Sequence, residues 1–188
     1  MEDPRLPLPP SEQLDRDQVE AIRELVDGPR KALAGPFVAL VHSPELMTRV
    51  QKVGEHLRFG DTSLAADIRE LTVLVVAAHW GAHYEWGSHI ASAVTNGISV
   101  PTCEALAARV TPRDLTADQM VAYQVVTSLL DTGTVDNVAY AAGLEAHDER
   151  WLVELTTLTG YYTTLALILG LGKVPGALPP SGLPVLAP

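Results

Sequence analysis

The sequence has few thiols and few basic residues, and both shortages narrow the classes of protein that it can be. Cys103 is its only cysteine, so neither a disulfide nor a Cys-x-x-Cys redox pair can form within one chain. There are 13 Lys and Arg against 23 Asp and Glu, and no basic run occurs. Binding to nucleic acid depends on clustered cations that neutralise phosphates, so we predict no nucleic acid among the partners.

Charged residues of either sign are also scarce. They make up 19% of the 188 residues, against about 25% in typical soluble domains, while 47% of the residues are hydrophobic. This shortage favours a protein that hides apolar surface between subunits, and we predict a homo-oligomer. The first ten residues lack the basic start and apolar run of a secretory signal, so we expect a cytoplasmic protein.

One apolar stretch raises the question of a membrane span. Residues 155–172 contain no charged residue, and their length is near the lower limit for a spanning helix. The stretch also contains five Thr, two Tyr and three Gly, and no basic cluster flanks it. We therefore predict a buried or interface helix and no membrane partner.

Proline-rich ends flank an interior with the patterns of helices. We predict an N-terminal arm at 1–14, a single all-helical domain at 15–172 and a tail at 173–188, and the sequence does not choose whether the arms wrap a neighbouring subunit. No stretch alternates with a period of two residues, so the predicted fold class is all-α. Periodicity and capping residues predict helices at 15–26, 44–53, 64–78, from 84 to the Asn96-Gly97 stop, 102–109, 117–130, 135–142 and 148–171.

Glu70, Glu85 and His89 are candidate catalytic residues because they are ionisable residues within an otherwise apolar part of the chain. Glu85 and His89 are four residues apart, so they lie on one face of a helix. In a continuous helix Glu70 would be about 22 Å from Glu85, since each residue advances the helix by 1.5 Å. The three side chains meet only if the chain turns back at Gly81, with one helix ending near Ala78 and the next beginning two or three residues after the glycine.

Less specific explanations of these residues stay open at this point. Glu85 and His89 also fit a surface ion pair, and Glu70 also fits the start of a helix, where it would pair with Arg69 or Arg58 on the surface. A metal-dependent enzyme that uses Glu85, His89 and His83 is one alternative to a proton-transfer site. A non-catalytic oligomeric scaffold with a buried polar network is another.

The pattern around the candidate residues resembles the carboxymuconolactone decarboxylase and alkylhydroperoxidase D-like superfamily. The matching pieces are Arg69-Glu70-Leu71, Tyr84-Glu85-Trp86-Gly87-Ser88-His89 and Asn96-Gly97, and the similarity covers about residues 35–172. The resemblance implies an all-α helical bundle of the alkylhydroperoxidase D-like type, built around an antiparallel helical hairpin. It also implies assembly into trimers or hexamers, or into dimers of such units.

Two branches of this superfamily differ in their chemistry. The peroxidase branch carries an upstream Glu, a Cys-x-x-Cys pair and a His; Glu70 and His89 match the first and last of these, but the cysteine positions fall at Ala82 and Glu85. The decarboxylase branch keeps a Glu and a His at the spacing of Glu85 and His89. The resemblance therefore implies a carbon–carbon lyase (decarboxylase)-like enzyme without thiol peroxidase activity. We predict neither a cofactor nor a metal ion in its site. Its substrate would be a small cyclic or aromatic-derived metabolite that undergoes decarboxylation or isomerisation.

Residues beside the catalytic candidates are expected to bind this substrate, as aromatic walls or as polar and cationic anchors. The predicted substrate-binding residues are His83, Tyr84, Trp86 and Arg69. Arg58 is a second nearby cation. If Glu70 is buried next to Glu85, burial and like-charge repulsion are expected to raise the pKa of Glu70. Two carboxyls with different pKa values could then serve as an acid and a base in the same site.

Overall fold

The computed structural model describes residues 3–187, which contain nine α-helices, one 3₁₀ turn at Ser11–Gln13 and no β-strand. The fold class is all-α, as predicted. Residues 1, 2 and 188, the outermost parts of the two predicted arms, lie outside the described residues. The helices are α1 (Arg16–Asp27), α2 (Pro36–Leu40), α3 (Pro44–Phe59), α4 (Ala66–Trp80), α5 (His83–Thr95), α6 (Val100–Ala107), α7 (Ala117–Thr132), α8 (Asn137–Ala146) and α9 (Glu149–Gly172).

Helix α4 lies at the centre of the bundle and packs against α5, α6, α7 and α9. Every residue from Leu71 to Ala78 is buried, because neighbours cover all sides of this part of the helix. A helix that is apolar on every side is typical of a buried position. Glu70 immediately precedes this buried stretch and therefore lies at the edge of the hydrophobic core.

Capping residues set most of the helix boundaries close to their predicted positions. The side chains of Asp15 and Thr116 each accept a hydrogen bond from the backbone N–H of the residue three positions later. They form capping boxes at the starts of α1 and α7. Helix α6 begins two residues earlier than predicted, because Ser99 caps it by accepting from the Thr102 backbone N–H. Helix α8 spans 137–146 rather than 135–142, since Asp136 provides its N-cap. Helix α2 was not predicted, because five residues are too few to show a period.

Helix α9 is long and apolar enough, by length and composition alone, to cross a membrane. However, 56% of its 18-residue apolar window is buried inside the fold. It packs against α2, α3, α4, α7 and α8. Its environment is therefore that of a core helix, which agrees with the buried alternative predicted from its sequence.

Both Pro-rich arms pack on the helices of their own chain. In the N-terminal arm, the Arg5 backbone N–H donates to the carbonyl of Gly172 at 2.8 Å. In the C-terminal tail, the Pro184 carbonyl accepts the Trp86 indole N–H at 2.8 Å, and Leu186 is buried. The structure describes a single chain, so the homo-oligomer stays a prediction. The predicted domain boundaries also stay predictions.

Candidate active site

The hairpin that the site requires is present, and Gly81 makes its turn. Helix α4 ends at Trp80 and α5 begins at His83, with Gly81 between them in the left-handed conformation at φ 64° and ψ 33°. Residues with a side chain rarely adopt this conformation, whereas glycine adopts it without steric cost. The predicted break at this glycine is therefore confirmed.

The hairpin brings Glu70, Glu85 and His89 together away from water. His89 Nδ1 lies 2.7 Å from Glu70 Oε2, and His89 Nε2 lies 3.5 Å from Glu85 Oε2. The three residues are 9%, 4% and 6% exposed. The predicted meeting of two distant acids with an imidazole is thus confirmed, and the surface alternatives for these residues are wrong.

The Glu70 hydrogen bond fixes which ring nitrogen of His89 faces outward. An ionised carboxylate only accepts hydrogen bonds, so Nδ1 carries the proton and donates to Glu70. Nε2 is left between Glu85 and the hydroxyl of Tyr162, which lies 3.4 Å away. The Tyr162 ring also packs edge-on against the imidazole, with ring centroids 5.4 Å apart. Tyr162 is thus a fourth member of the cluster that the sequence analysis did not identify.

The two carboxyls have pKa values shifted in opposite directions. Burial is the largest influence on both and favours their neutral forms. At Glu70 it is outweighed by the hydrogen bond from His89 and by the positive charges of His89 and Arg58, so the net pKa is lowered. At Glu85 burial prevails over the charges of His89, Arg58 and Arg30, and the pKa is raised. The expectation of a raised pKa at Glu70 was therefore wrong, because its short hydrogen bond stabilises the ionised form.

A cavity of about 380 Å³ opens onto the cluster. Glu85, His89 and Tyr162 line it, whereas Glu70 does not and lies behind the imidazole. The further polar lining consists of Arg30, Arg58, Tyr84, Ser88 and Ser92. A small molecule in this cavity would meet Nε2 of His89 and the Glu85 carboxyl, with Glu70 acting on it only through His89.

Two arginines place positive charge in the wall of the cavity. Arg30 donates from Nη2 to the Tyr161 hydroxyl at 2.7 Å, and its guanidinium lies 4.5 Å from the centre of the Phe37 ring. Gly54 makes room for this arrangement, because a Cβ at that position would collide with both the Tyr161 hydroxyl and the Arg30 guanidinium. The buried Nε of Arg30 has no hydrogen-bond partner. Arg58, near the end of α3, also lines the cavity, and the positive charges of both arginines act on the Glu85 carboxyl.

Of the four predicted substrate-binding residues, only Tyr84 lines the cavity. Arg69 donates to a backbone carbonyl in the loop before α4 at 2.7 Å. Trp86 is 1% exposed and donates to the C-terminal tail, and His83 packs against the same tail. The prediction of these three as substrate-binding residues was therefore wrong. It relied on closeness along the sequence, whereas the helices direct their side chains away from the cavity.

The metal-binding alternative does not fit the arrangement of its proposed ligands. Successive residues of a helix are about 100° apart, so His83 projects from the side of α5 opposite Glu85 and His89. Throughout residues 3–187, no group of three or more His, Cys, Asp or Glu side chains is placed to hold a metal ion.

Cys103 lies in α6, apart from the cavity, and is fully buried. Burial, together with the nearby negative charge of Asp114, raises the pKa of its thiol to about 11. A thiolate is the reactive form of cysteine, so this thiol is held in its unreactive state at neutral pH.

Neither a protein family model nor a curated protein sequence matches the chain. Several solved structures are similar to it, and two of them are peroxidase-related proteins. One is the alkylhydroperoxidase AhpD core of an uncharacterized peroxidase-related protein from Ralstonia eutropha JMP134, with a TM-score of 0.75. The other is an uncharacterized peroxidase-related protein from Silicibacter sp. TM1040, with a TM-score of 0.71. Each is 17% identical in sequence, and each alignment covers 94% of this chain and 93% of the other. At this identity the likeness establishes the fold alone: the chain has the helical fold of the alkylhydroperoxidase D core, as its hairpin motif predicts.

Proposed function

We propose that the protein is a carboxymuconolactone decarboxylase-like enzyme that transfers protons to or from carbon in a small cyclic or aromatic-derived metabolite. The reaction would be a decarboxylation or an isomerisation. The observation that carries this proposal is the buried hydrogen bond of 2.7 Å between Glu70 and His89, which aims the opposite nitrogen of the imidazole at a cavity. An imidazole oriented in this way is a common general acid–base group.

Each member of the cluster has a distinct role in such a reaction. Glu70 is a positioning residue, because it holds the imidazole in one tautomer and stabilises its protonated form. His89 Nε2 exchanges a proton with the substrate carbon. Burial raises the pKa of Glu85 and favours its protonated form, in which the carboxyl can donate a proton at the same place. The Tyr162 hydroxyl, whose pKa burial raises far above neutral, stays protonated and donates to oxygen on the substrate.

In a decarboxylation, the bond between a ring carbon and a carboxylate breaks and carbon dioxide leaves. The electron pair passes into a conjugated carbonyl and gives an enolate. A proton from the Glu85 carboxylic acid, or from Nε2 when the His89 ring is protonated, then forms the new bond to carbon, and water restores the proton to the enzyme. In an isomerisation the same groups remove a proton from one carbon and return it to another.

The cations that such an anionic substrate requires are Arg58 and Arg30 rather than Arg69. Both line the cavity, and the Arg58 guanidinium lies 5.1 Å from the centre of the Phe59 ring. A guanidinium binds planar carboxylates with two hydrogen bonds, so Arg58 suits the carboxylate or developing oxyanion of the substrate. The two guanidiniums would hold the anionic end of the molecule.

Thiol-dependent peroxide reduction does not fit this site. The two positions that carry cysteines in the peroxidase branch are Ala82 and Glu85. Cys103 is buried outside the cavity with a raised pKa. We therefore propose no peroxidase activity for the chain.

Exchange of carbon-bound hydrogen tests the proposal without knowledge of the natural substrate. Cyclic keto acids and lactone carboxylates that raise the melting temperature of the protein would be incubated with it in D₂O, and deuterium incorporation would be followed by NMR. We expect exchange with the intact protein and a loss of about 100-fold or more in His89→Gln, in line with the usual contribution of a general acid–base group.

The matched control is His79→Gln, on the same hairpin but outside the cavity, which should keep the wild-type exchange rate. Size-exclusion chromatography of both variants separates an enzyme from a scaffold. A scaffold loses its assembly when His89 is replaced, whereas an enzyme keeps its assembly and loses exchange. If His89→Gln exchanges hydrogen as fast as the wild type, the proposed chemistry is wrong.

A further inference from the structure

The C-terminal tail lies along the helix that carries the site. After α9, residues 174–187 contain no charged residue and run back over α5. The Ala177 carbonyl occupies the place that a Cβ on Gly87 would need, and a Cβ on Gly176 would lie 2.8 Å from the His83 Cβ. Further along, the Pro184 carbonyl accepts the Trp86 indole N–H at 2.8 Å. The contact therefore extends over both turns of α5 that surround Glu85.

These contacts are made on the side of α5 that faces away from the cavity. At about 100° per residue, His83 and Gly87 form a stripe roughly opposite the stripe of Glu85 and His89. Glu85 and His89 line the cavity, whereas His83 and Gly87 do not. The tail and the reacting groups thus contact opposite sides of a single helix.

Helix α5 has little other helical support. Among the described residues, α4 is the only helix against which it packs extensively. Since α4 carries Glu70, any movement of α5 away from α4 lengthens the hydrogen bond between Glu70 and His89. The tail fills the other side of α5, with Leu186 buried at 2% exposure.

The composition of the tail suits this role. Proline fixes φ and lowers the conformational entropy of the free segment, so less entropy is lost when the segment packs. Proline also lacks a backbone N–H, and prolines at 175, 179, 180 and 184 leave fewer donors to be satisfied against an apolar surface. Gly87 offers the close approach of backbone to helix that any larger residue would prevent.

We infer that the C-terminal segment 174–187 is a positioning element that holds α5 against α4, and thereby keeps His89 in hydrogen-bond contact with Glu70. Gly87 and Trp86 are the positioning residues through which it acts. This inference rests on the proposed function, because it assigns the segment a part in orienting the imidazole.

The test compares Gly87→Ala with Gly160→Ala in the full-length protein labelled with ¹⁵N-histidine. Both changes add one methyl group to a helical glycine, but nothing lies within 4 Å of the added Cβ at Gly160. The readout is the NMR signal of the His89 Nδ1 proton, identified by its disappearance in His89→Gln. Hydrogen exchange of the tail amides shows whether the tail has been displaced.

We expect Gly87→Ala to release the tail and to shift or abolish the His89 proton signal, while Gly160→Ala leaves both unchanged. Trp86→Phe removes the indole N–H that binds the Pro184 carbonyl and also replaces the buried indole by a smaller ring. It should move the signal in the same direction and replaces Gly87→Ala if that variant does not fold. The inference is overturned if the tail is released and the His89 signal stays at its wild-type position, or if the tail remains protected in Gly87→Ala. Absence of the signal from the wild-type protein would instead refute the Glu70–His89 hydrogen bond and, with it, the proposed function.

Discussion

Replacing Glu154 by Gln perturbs the ion cluster that anchors the loop before α4. Glu154 belongs to α9, and its Oε2 accepts from the Ser63 backbone N–H at 2.6 Å and from the Ser63 and Thr62 hydroxyls at 2.7 and 2.8 Å. Its Oε1 accepts from Arg150 Nε at 3.0 Å. The carboxylate therefore joins α9 to the segment that leads into the site-bearing hairpin.

The size of the effect follows from the pKa of this carboxyl. Burial is the largest influence and acts to raise the pKa, but the hydrogen bonds from Ser63, Thr62 and Arg150 together lower it from 4.5 to about 2. A carboxyl with this change on folding contributes about 3 kcal/mol to the free energy of unfolding at neutral pH. Because the folded-state pKa is the lower one, this stability is fully present above pH 4.5 and is lost as the pH falls toward 2.

The assay is urea denaturation of wild type and Glu154→Gln at fixed protein concentration between pH 3 and pH 7. We expect the variant to be less stable by about 3 kcal/mol at pH 7, with a difference that shrinks steadily below pH 4.5. Glu145→Gln, at an exposed position in α8, should be within about 0.5 kcal/mol of wild type at every pH. A deficit for Glu154→Gln below about 1 kcal/mol at pH 7, or one that does not change with pH, would refute this reasoning.

Three further predictions concern the site and its surroundings. Glu70→Gln should lower the free energy of unfolding by about 1–3 kcal/mol in urea denaturation, because the buried His89 N–H loses its charged acceptor; an unchanged midpoint would contradict the 2.7 Å contact. Cys103 should not react with a thiol reagent at pH 8 in the native protein and should react fully in denaturant, so rapid native labelling would contradict its burial. Gly54→Ala should lower the melting temperature by an amount equivalent to about 1–3 kcal/mol because its Cβ meets a tyrosine hydroxyl and a guanidinium, whereas Gly160→Ala should not lower it.

Features that depend on neighbouring residues were predictable from the sequence. Gly81 between two helical patterns predicted the turn, because only glycine adopts the left-handed conformation without cost. The hairpin then placed Glu70 level with His89 by helical rise alone. Asp15 and Thr116 likewise marked the starts of their helices through local capping.

Features that depend on distant packing were not predictable in this way. Tyr162 is 73 positions from His89, and Arg30 is 131 positions from Tyr161, so no periodicity relates them to the hairpin. Arg69 is next to Glu70 in sequence, but the helix directs it to a loop carbonyl instead of the cavity. The direction of the Glu70 pKa shift depends on a hydrogen-bond length, which composition and spacing do not reveal.

The nineteen-position separation of Glu70 and His89 makes their contact a short-range one along the chain. Closing a loop costs entropy that grows only with the logarithm of its length, and short loops close early in folding. The acid–imidazole pair therefore needs only two neighbouring helices to dock, whereas the wall of the cavity also needs residues 29–37, 58–59 and 162–165, which lie on both sides of the hairpin along the chain. Substitutions in this wall can accordingly alter which molecules fit the cavity while the contact between Glu70 and His89 stays in place.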